Sequence, residues 1–124
     1  MKTSMMSILA VMGLMFGGCA LATEMPVLAK KMGCDGCHKI DTKFVGPAWM
    51  DVSKFYNGKL EKTSAGKTVK EATGGKAPAD WLLSKVSKGG SGNWDSASMI
   101  PNDASGTKQE QIKELIQFVL GLAK

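Results

Sequence analysis

Among its 124 residues the sequence has no arginine, one histidine, one tyrosine and only three cysteines. Each scarcity excludes something. Without arginine there is no planar guanidinium fork, the group that grips phosphate and carboxylate bidentately. The sixteen basic residues are all lysines, set against eleven acids. So small an excess, with no arginine, argues against nucleic acid as a partner. Three cysteines are too few for a disulfide-dense scaffold. Strand-like alternation is weak throughout, and there are no internal repeats. Long apolar runs are also missing. The one near the start, residues 8–16, is too short for a comfortable membrane span.

That short run has the flanks of a secretory leader. Lys2 precedes it and Ala20-Leu21-Ala22 follows as an A-x-A cleavage site. Residues 1–22 are therefore expected to be a cleaved signal peptide, leaving residues 23–124 as one domain of 102 residues. Met1, Met5, Met6, Met12, Met15 and Cys19 leave with the leader. The mature chain then has fifteen lysines against eleven acids, a net charge of +4. An alternative rests on Cys19. It follows Phe16-Gly17-Gly18, a faint lipoprotein box, and lipidation there would tether the domain to a membrane.

The most informative stretch is Cys34-Asp35-Gly36-Cys37-His38. On a helical turn Cys34, Cys37 and His38 fall on one face, while Asp35 and Gly36 point away. Two thiols beside one imidazole suit a haem of the c type. The thiols add across the vinyl groups, and the histidine ligates iron. A Cys-x-x-Cys pair also serves zinc sites, redox dithiols and plain disulfides. Zinc needs four ligands, and the mature chain has only these three of the right type. A thioredoxin-like pair needs a βαβ setting that the chain lacks. Haem c is the expected cofactor. Export agrees with it, since bacteria join such haem to the chain outside the cytoplasmic membrane. A domain of this size often needs a staple, and the haem would supply one.

Four helices are expected in the mature chain. Residues 26–32 form the first, with Thr23 or Glu24 as cap and Val27, Leu28 and Met32 as its apolar side. Residues 48–56 and 78–88 form the second and third, the latter with Trp81, Leu82 and Val86 inward. Residues 107–120 form the fourth. Thr107 and Glu110 fit a capping box there, and Ile112, Leu115, Ile116, Val119 and Leu120 form a core stripe that packs on the first helix. Residues 40–47 read as loop. Residues 58–76 are polar and aperiodic, an exposed, mobile loop with room for one helical turn. Residues 93–105 are irregular yet hold Trp94 and Met99, apolar bulk that something must bury.

Haem iron bound by one histidine takes a second ligand or keeps an open site, and this choice decides function. Met25, Met32, Met50 and Met99 follow the leader. The first two sit on the helix entering the motif and suit the core, and Met50 lies within a short helix. Met99 lies 61 residues beyond His38, in a loop that can fold over the far face of the haem and that Pro101 stiffens. His38 and Met99 are thus the expected axial ligands. A thioether favours reduced iron and raises the potential, and two filled positions make an electron carrier rather than an enzyme.

Beyond the motif, Ile40-Asp41-Thr42-Lys43-Phe44-Val45-Gly46-Pro47 and the Trp94…Met99…Pro101-Asn102 order carry a family likeness. Over nearly all of its mature length the chain resembles the small bacterial class I cytochromes c of the c-551/c-552 type. The resemblance implies an all-α fold of about four short helices around one covalently bound haem. It also implies roles. The Pro47 carbonyl would receive the other ring N–H of His38. Trp94 would donate its indole N–H to a haem propionate, with Lys85 nearby. Asn102 would hydrogen-bond near the Met99 sulfur. The chain departs from the family where Ser98 precedes Met99 and Ile100 separates it from Pro101.

Together these readings lead to a monomeric periplasmic carrier that shuttles single electrons between redox proteins with acidic docking surfaces. Two alternatives stay open. One is a membrane-tethered subunit of an oxidoreductase, anchored through Cys19. The other is a gas-binding or peroxidase-like haem protein with an open sixth site.

Overall fold

A computed structural model describes residues 22–124. The expected leader, apart from Ala22, and Cys19 lie outside the described residues. Among the described residues no helix is long and apolar enough to cross a membrane.

The described chain is helical, with no strand. Its elements are α1 (Val27–Lys31), a 3-10 turn (Cys34–Gly36), α2 (Trp49–Tyr56), α3 (Val69–Thr73), α4 (Pro78–Lys88) and α5 (Gln109–Gly121). That is one helix more than the four expected, and the extra one, α3, lies inside the polar segment 58–76. It is only five residues long, so no apolar period can announce it. A capping box starts it: Glu71 N donates to Thr68 Oγ1 (3.3 Å), and Thr68 N donates to Glu71 Oε2 (2.8 Å). Thr63, Ala72 and Thr73 are buried and pin the segment, most of which is otherwise exposed.

Two helix starts differ from expectation. In α1 the cap position is Pro26, with no side-chain cap bond from Thr23 or Glu24. Val27 is 82% exposed, and the inward side is Ala29 with Met25, Leu28 and Met32. In α5 the Thr107–Glu110 box is not formed. Asp103 takes that place: Oδ1 accepts from Thr107 N and Oδ2 from Lys108 N, both at 2.9 Å, and the Gln109 side chain also donates to Oδ2. An ionised carboxylate is a stronger acceptor than a hydroxyl and is favoured by the positive end of the helix dipole.

α5 organises the core. Ile112, Leu115, Ile116 and Val119 are its buried stripe. It packs chiefly on α4 and α2 and more lightly on α1. Leu115 and Val119 join Ala29, Ile40, Trp49 and Val52 in the main apolar cluster. Polar bonds complete the α2–α5 contact. Ser53 Oγ and Asn57 Nδ2 donate to Leu120 O (3.2 and 2.8 Å), and Ala123 N donates to Ser53 Oγ (3.0 Å). They satisfy groups that a helix C-terminus leaves without internal partners.

Phe55 is fully buried, with Tyr56 and Trp94 edge-on at 4.9 and 5.6 Å between ring centroids. Phe55→Ala should therefore cost about 3–5 kcal/mol, read as a lower urea midpoint. Acid should act at Asp103. The Gln109 side chain, with the Lys108, Thr107 and Gly106 N–H groups, holds its carboxyl below the usual aspartate value against the opposing effect of burial. A lowered folded-state value means that the stabilisation is complete above the unfolded value of about 3.9. It is lost as pH falls from there through the folded value. Urea unfolding of Asp103→Asn should show lower stability at neutral pH and a shallower decline in acid than the parent.

Candidate functional site

Gly33, at φ 78°, turns the chain sharply out of α1. A single winding follows, in which Cys37 N (3.2 Å) and His38 N (2.9 Å) both donate to Cys34 O. In 3-10 geometry residues three apart eclipse, which sets both cysteines on one side. No disulfide joins Cys34 and Cys37, and burial pushes the Cys34 thiol above its usual value.

The next loop folds back on this turn. Gly46 N donates to Cys37 O (2.8 Å), Trp49 N to Lys39 O (3.0 Å) and Met50 N to Ile40 O (2.8 Å). These bonds bring Pro47 beside the histidine, where His38 Nδ1 donates to Pro47 O at 2.8 Å. A carbonyl only accepts, so the proton is on Nδ1 and the lone pair is on Nε2. Burial lowers the imidazole's proton affinity and the Pro47 bond partly offsets this, which keeps the ring neutral at pH 7. Gly46 completes the seat. A methyl group there would stand 2.6 Å from His38 Cε1 and 3.0 Å from Nδ1. Gly46 was legible only as punctuation before Pro47, because nothing local reveals that a ring lies against it.

The loop bearing Met99 is laced to the end of α4. Gly90 N donates to Met99 O (2.9 Å) and Met99 N to Gly90 O (3.0 Å), the one β-bridge of the described residues. Asn102 N donates to Val86 O and Asp103 N to Ser87 O, each at 3.2 Å. Gly89 lies against the loop backbone so closely that an added methyl would collide with Met99 O. In the sequence Gly89 looks like a helix stop. Its second task, letting the Met99 backbone in, depends on a contact with residues ten to twelve positions away.

Between these walls opens an apolar cleft, with about 1340 Å³ of space free of protein atoms when its open mouth is included. Leu82 and Val86 of α4 and Ile112 and Ile116 of α5 line its sides. Cys34, Cys37, His38, Pro47, Lys85, Trp94, Met99 and Asn102 all border it. Of the other methionines named above, Met32 borders it while also packing on the core, whereas Met25 and Met50 do not. Asn102 is committed differently from expectation. Its Nδ2 donates to Val86 O (3.2 Å) and Ile100 O (3.0 Å), fastening the loop rather than reaching a sulfur. Lys85 makes no ion pair among the described residues, and burial depresses the proton affinity of its amine.

This set of residues fits a haem c. Two thiols on one turn, a neutral imidazole with its lone pair on Nε2, a thioether and an apolar cleft suit an iron macrocycle, and an unpaired lysine suits its carboxylates. Two methionines, one histidine and two thiols around a cleft do not make a tetrahedral zinc site, and no cluster of three His, Cys, Asp or Glu residues able to hold a metal occurs among the described residues.

No protein-family model matches the chain. Individual proteins do. The chain is 36% identical over 115 residues to cytochrome c-552 of Hydrogenobacter thermophilus, covering 93% of this chain and 94% of that one. It is 38% identical over 93 residues to cytochrome c-551 of Azotobacter vinelandii, covering 75% and 90%. Among solved structures, cytochrome c552 of Nitrosomonas europaea superposes with a TM-score of 0.55 at 32% identity, covering 77% and 95%. The chain belongs to the family of small cytochromes c-551 and c-552, with the class I cytochrome c fold. Its cofactor is one covalently attached haem c with iron, and electron transfer is the work of such proteins.

The seat at Gly46 makes a direct prediction. Gly46→Ala should force the His38 ring off the Pro47 carbonyl and cost about 1–3 kcal/mol, as overpacking does. It should also change the visible spectrum of the haem-loaded protein, whereas Gly58→Ala, at a position with open space around it, should leave the spectrum as it is.

Proposed function

We propose that the chain is a periplasmic one-electron carrier whose haem would be joined to Cys34 and Cys37 and whose iron His38 and Met99 would hold. The observation that carries this reading is convergence: a motif at 34–38 and a methionine 61 residues beyond His38 border one apolar cleft. When bound, the haem supplies an iron that cycles between Fe(II) and Fe(III). The residues do the rest. Pro47 orients His38 and strengthens it as a ligand. The Met99 thioether favours the reduced state. Leu82, Val86, Ile112 and Ile116 keep water from the centre, so that little reorganises as charge changes. Trp94 would donate its indole N–H to a propionate, and Lys85 would balance its charge. Asn102 acts on the Met99 loop through the backbone.

With His38 and Met99 both holding the iron, no position would be left for a substrate, and no catalytic residue is assigned. The lysine excess of the mature chain steers acidic redox proteins toward a brief encounter. Transient partners of this kind bury less than about 1,200 Å², which suits a monomer that must leave as fast as it arrives.

The test is the visible spectrum of the oxidised protein, including the weak far-red band of methionine–Fe(III) bonding. The band should be present in the parent and in Met50→Ala, and absent from Met99→Ala. A high-spin spectrum without the band in the parent would mean an open sixth site, and ligand binding or peroxide chemistry would replace electron carriage.

A further inference from the structure

Trp94 sits on an irregular loop, yet the structure clamps it from both sides. On one side Asn93 Nδ2 donates to Ala72 O at 3.2 Å, at the buried end of α3. On the other, Asp95 N donates to Ser64 Oγ at 2.9 Å. Lys43 Nζ, from the loop that seats His38, donates to Asp95 O. The Trp94 ring stands edge-on to buried Phe55. Trp94 and Pro47 border both the cleft and a smaller crevice behind it, and Lys43, Ser64 and Asp95 border that crevice too.

Two of these three clamps come from the polar segment 58–76. That segment is itself fixed: Thr63 is buried, Lys67 N donates to Thr63 Oγ1 (3.1 Å), Thr63 N donates to Lys67 O (2.9 Å), and the Thr68–Glu71 box starts α3. A mere connector would not need buried threonines, a capped helix and bonds to both neighbours of one tryptophan.

We propose that segment 58–76 is a positioning brace for Trp94, with Ser64 and Asn93 as the residues that transmit its hold. The inference rests on the assignment of Trp94 as donor to a haem propionate, and it assigns a task to a segment that looks idle in the sequence. An indole held on both sides keeps its N–H aimed at one acceptor. A carboxylate that receives this hydrogen bond has its charge partly neutralised. When the brace is loosened, that negative charge is less compensated and favours Fe(III), so the reduction potential falls. The carboxylate also takes up its proton at higher pH, because the bond that favoured its charged form is weaker.

The experiment compares haem-loaded parent, Ser64→Ala/Asn93→Ala, Ser64→Ala, Ser64→Thr and Trp94→Phe. Reduction potential is followed against pH, with hydrogen exchange of the Trp94 indole N–H in the first four. The double variant should show a lower potential, a pH dependence displaced upward and indole exchange faster by about three- to tenfold, the size of one modest hydrogen bond. Ser64→Ala should move the same way by less, and Ser64→Thr, which keeps the hydroxyl, should match the parent. If Trp94→Phe shifts the potential while the Ser64 and Asn93 variants match the parent in all three readouts, the brace is overturned and the role of Trp94 stands. If Trp94→Phe leaves potential and pH profile unchanged, the role of Trp94 falls and the brace falls with it. Should the double variant not fold, Ser64→Ala alone decides, because its bond is exposed and its loss leaves the core intact.

Discussion

The hydrogen bond from His38 Nδ1 to Pro47 O is the interaction on which the rest of the site depends. It chooses the tautomer, and with it which ring nitrogen can meet a metal. It is also costly to misplace. Pro47 reaches its position only because Gly46 bonds back to Cys37, and because the first residues of α2 bond to Lys39 and Ile40. Two residues further on, Trp49 is buried in the core beside Val52 and Leu115. The packing of α2 on α5 therefore sets the direction of an imidazole many residues away. An error in that packing would appear first as a misaimed imidazole and only later as lost stability.

Electrostatically the two ends of the cleft are unlike. Near the motif burial disfavours charge on both the His38 ring and the Cys34 sulfur. Near the end of α4, Lys85 is a partly desolvated amine without an ionic partner among the described residues. A flat macrocycle with an apolar body and two carboxylates at one edge matches that asymmetry. Any group without charge at that edge would leave Lys85 uncompensated.

Much of this was legible in the sequence, for reasons that differ along the chain. α4 could be read to the residue because Pro78 starts it and Gly89 stops it, both through local backbone chemistry. The cysteine turn was legible because its spacing is its chemistry. Val27 was misjudged as inward-facing because in five residues either side can look apolar, and only the position of α5 decides. The start of α5 was misjudged because a Thr-x-x-Glu pattern is local, whereas Asp103 arrives from the loop before it and wins as the better acceptor. α3 left a local sign, the Thr68-x-x-Glu71 pattern, in a segment with room for one helical turn, but the clamps on Trp94 were beyond reach. They depend on Ser64 and Ala72 meeting residues 31 and 21 positions away, and no periodicity encodes that.

The paired bonds between Gly90 and Met99 have a consequence for motion. A loop held only by its ends opens and closes independently of its neighbours. This one shares backbone bonds with the last turn of α4 at Val86 and Ser87 and with Gly90 just beyond it. The two therefore behave as a single cooperative unit in native-state exchange, and the loop cannot lift without fraying the helix. The position of Met99 in the cleft is then held for as long as that helix end stays wound.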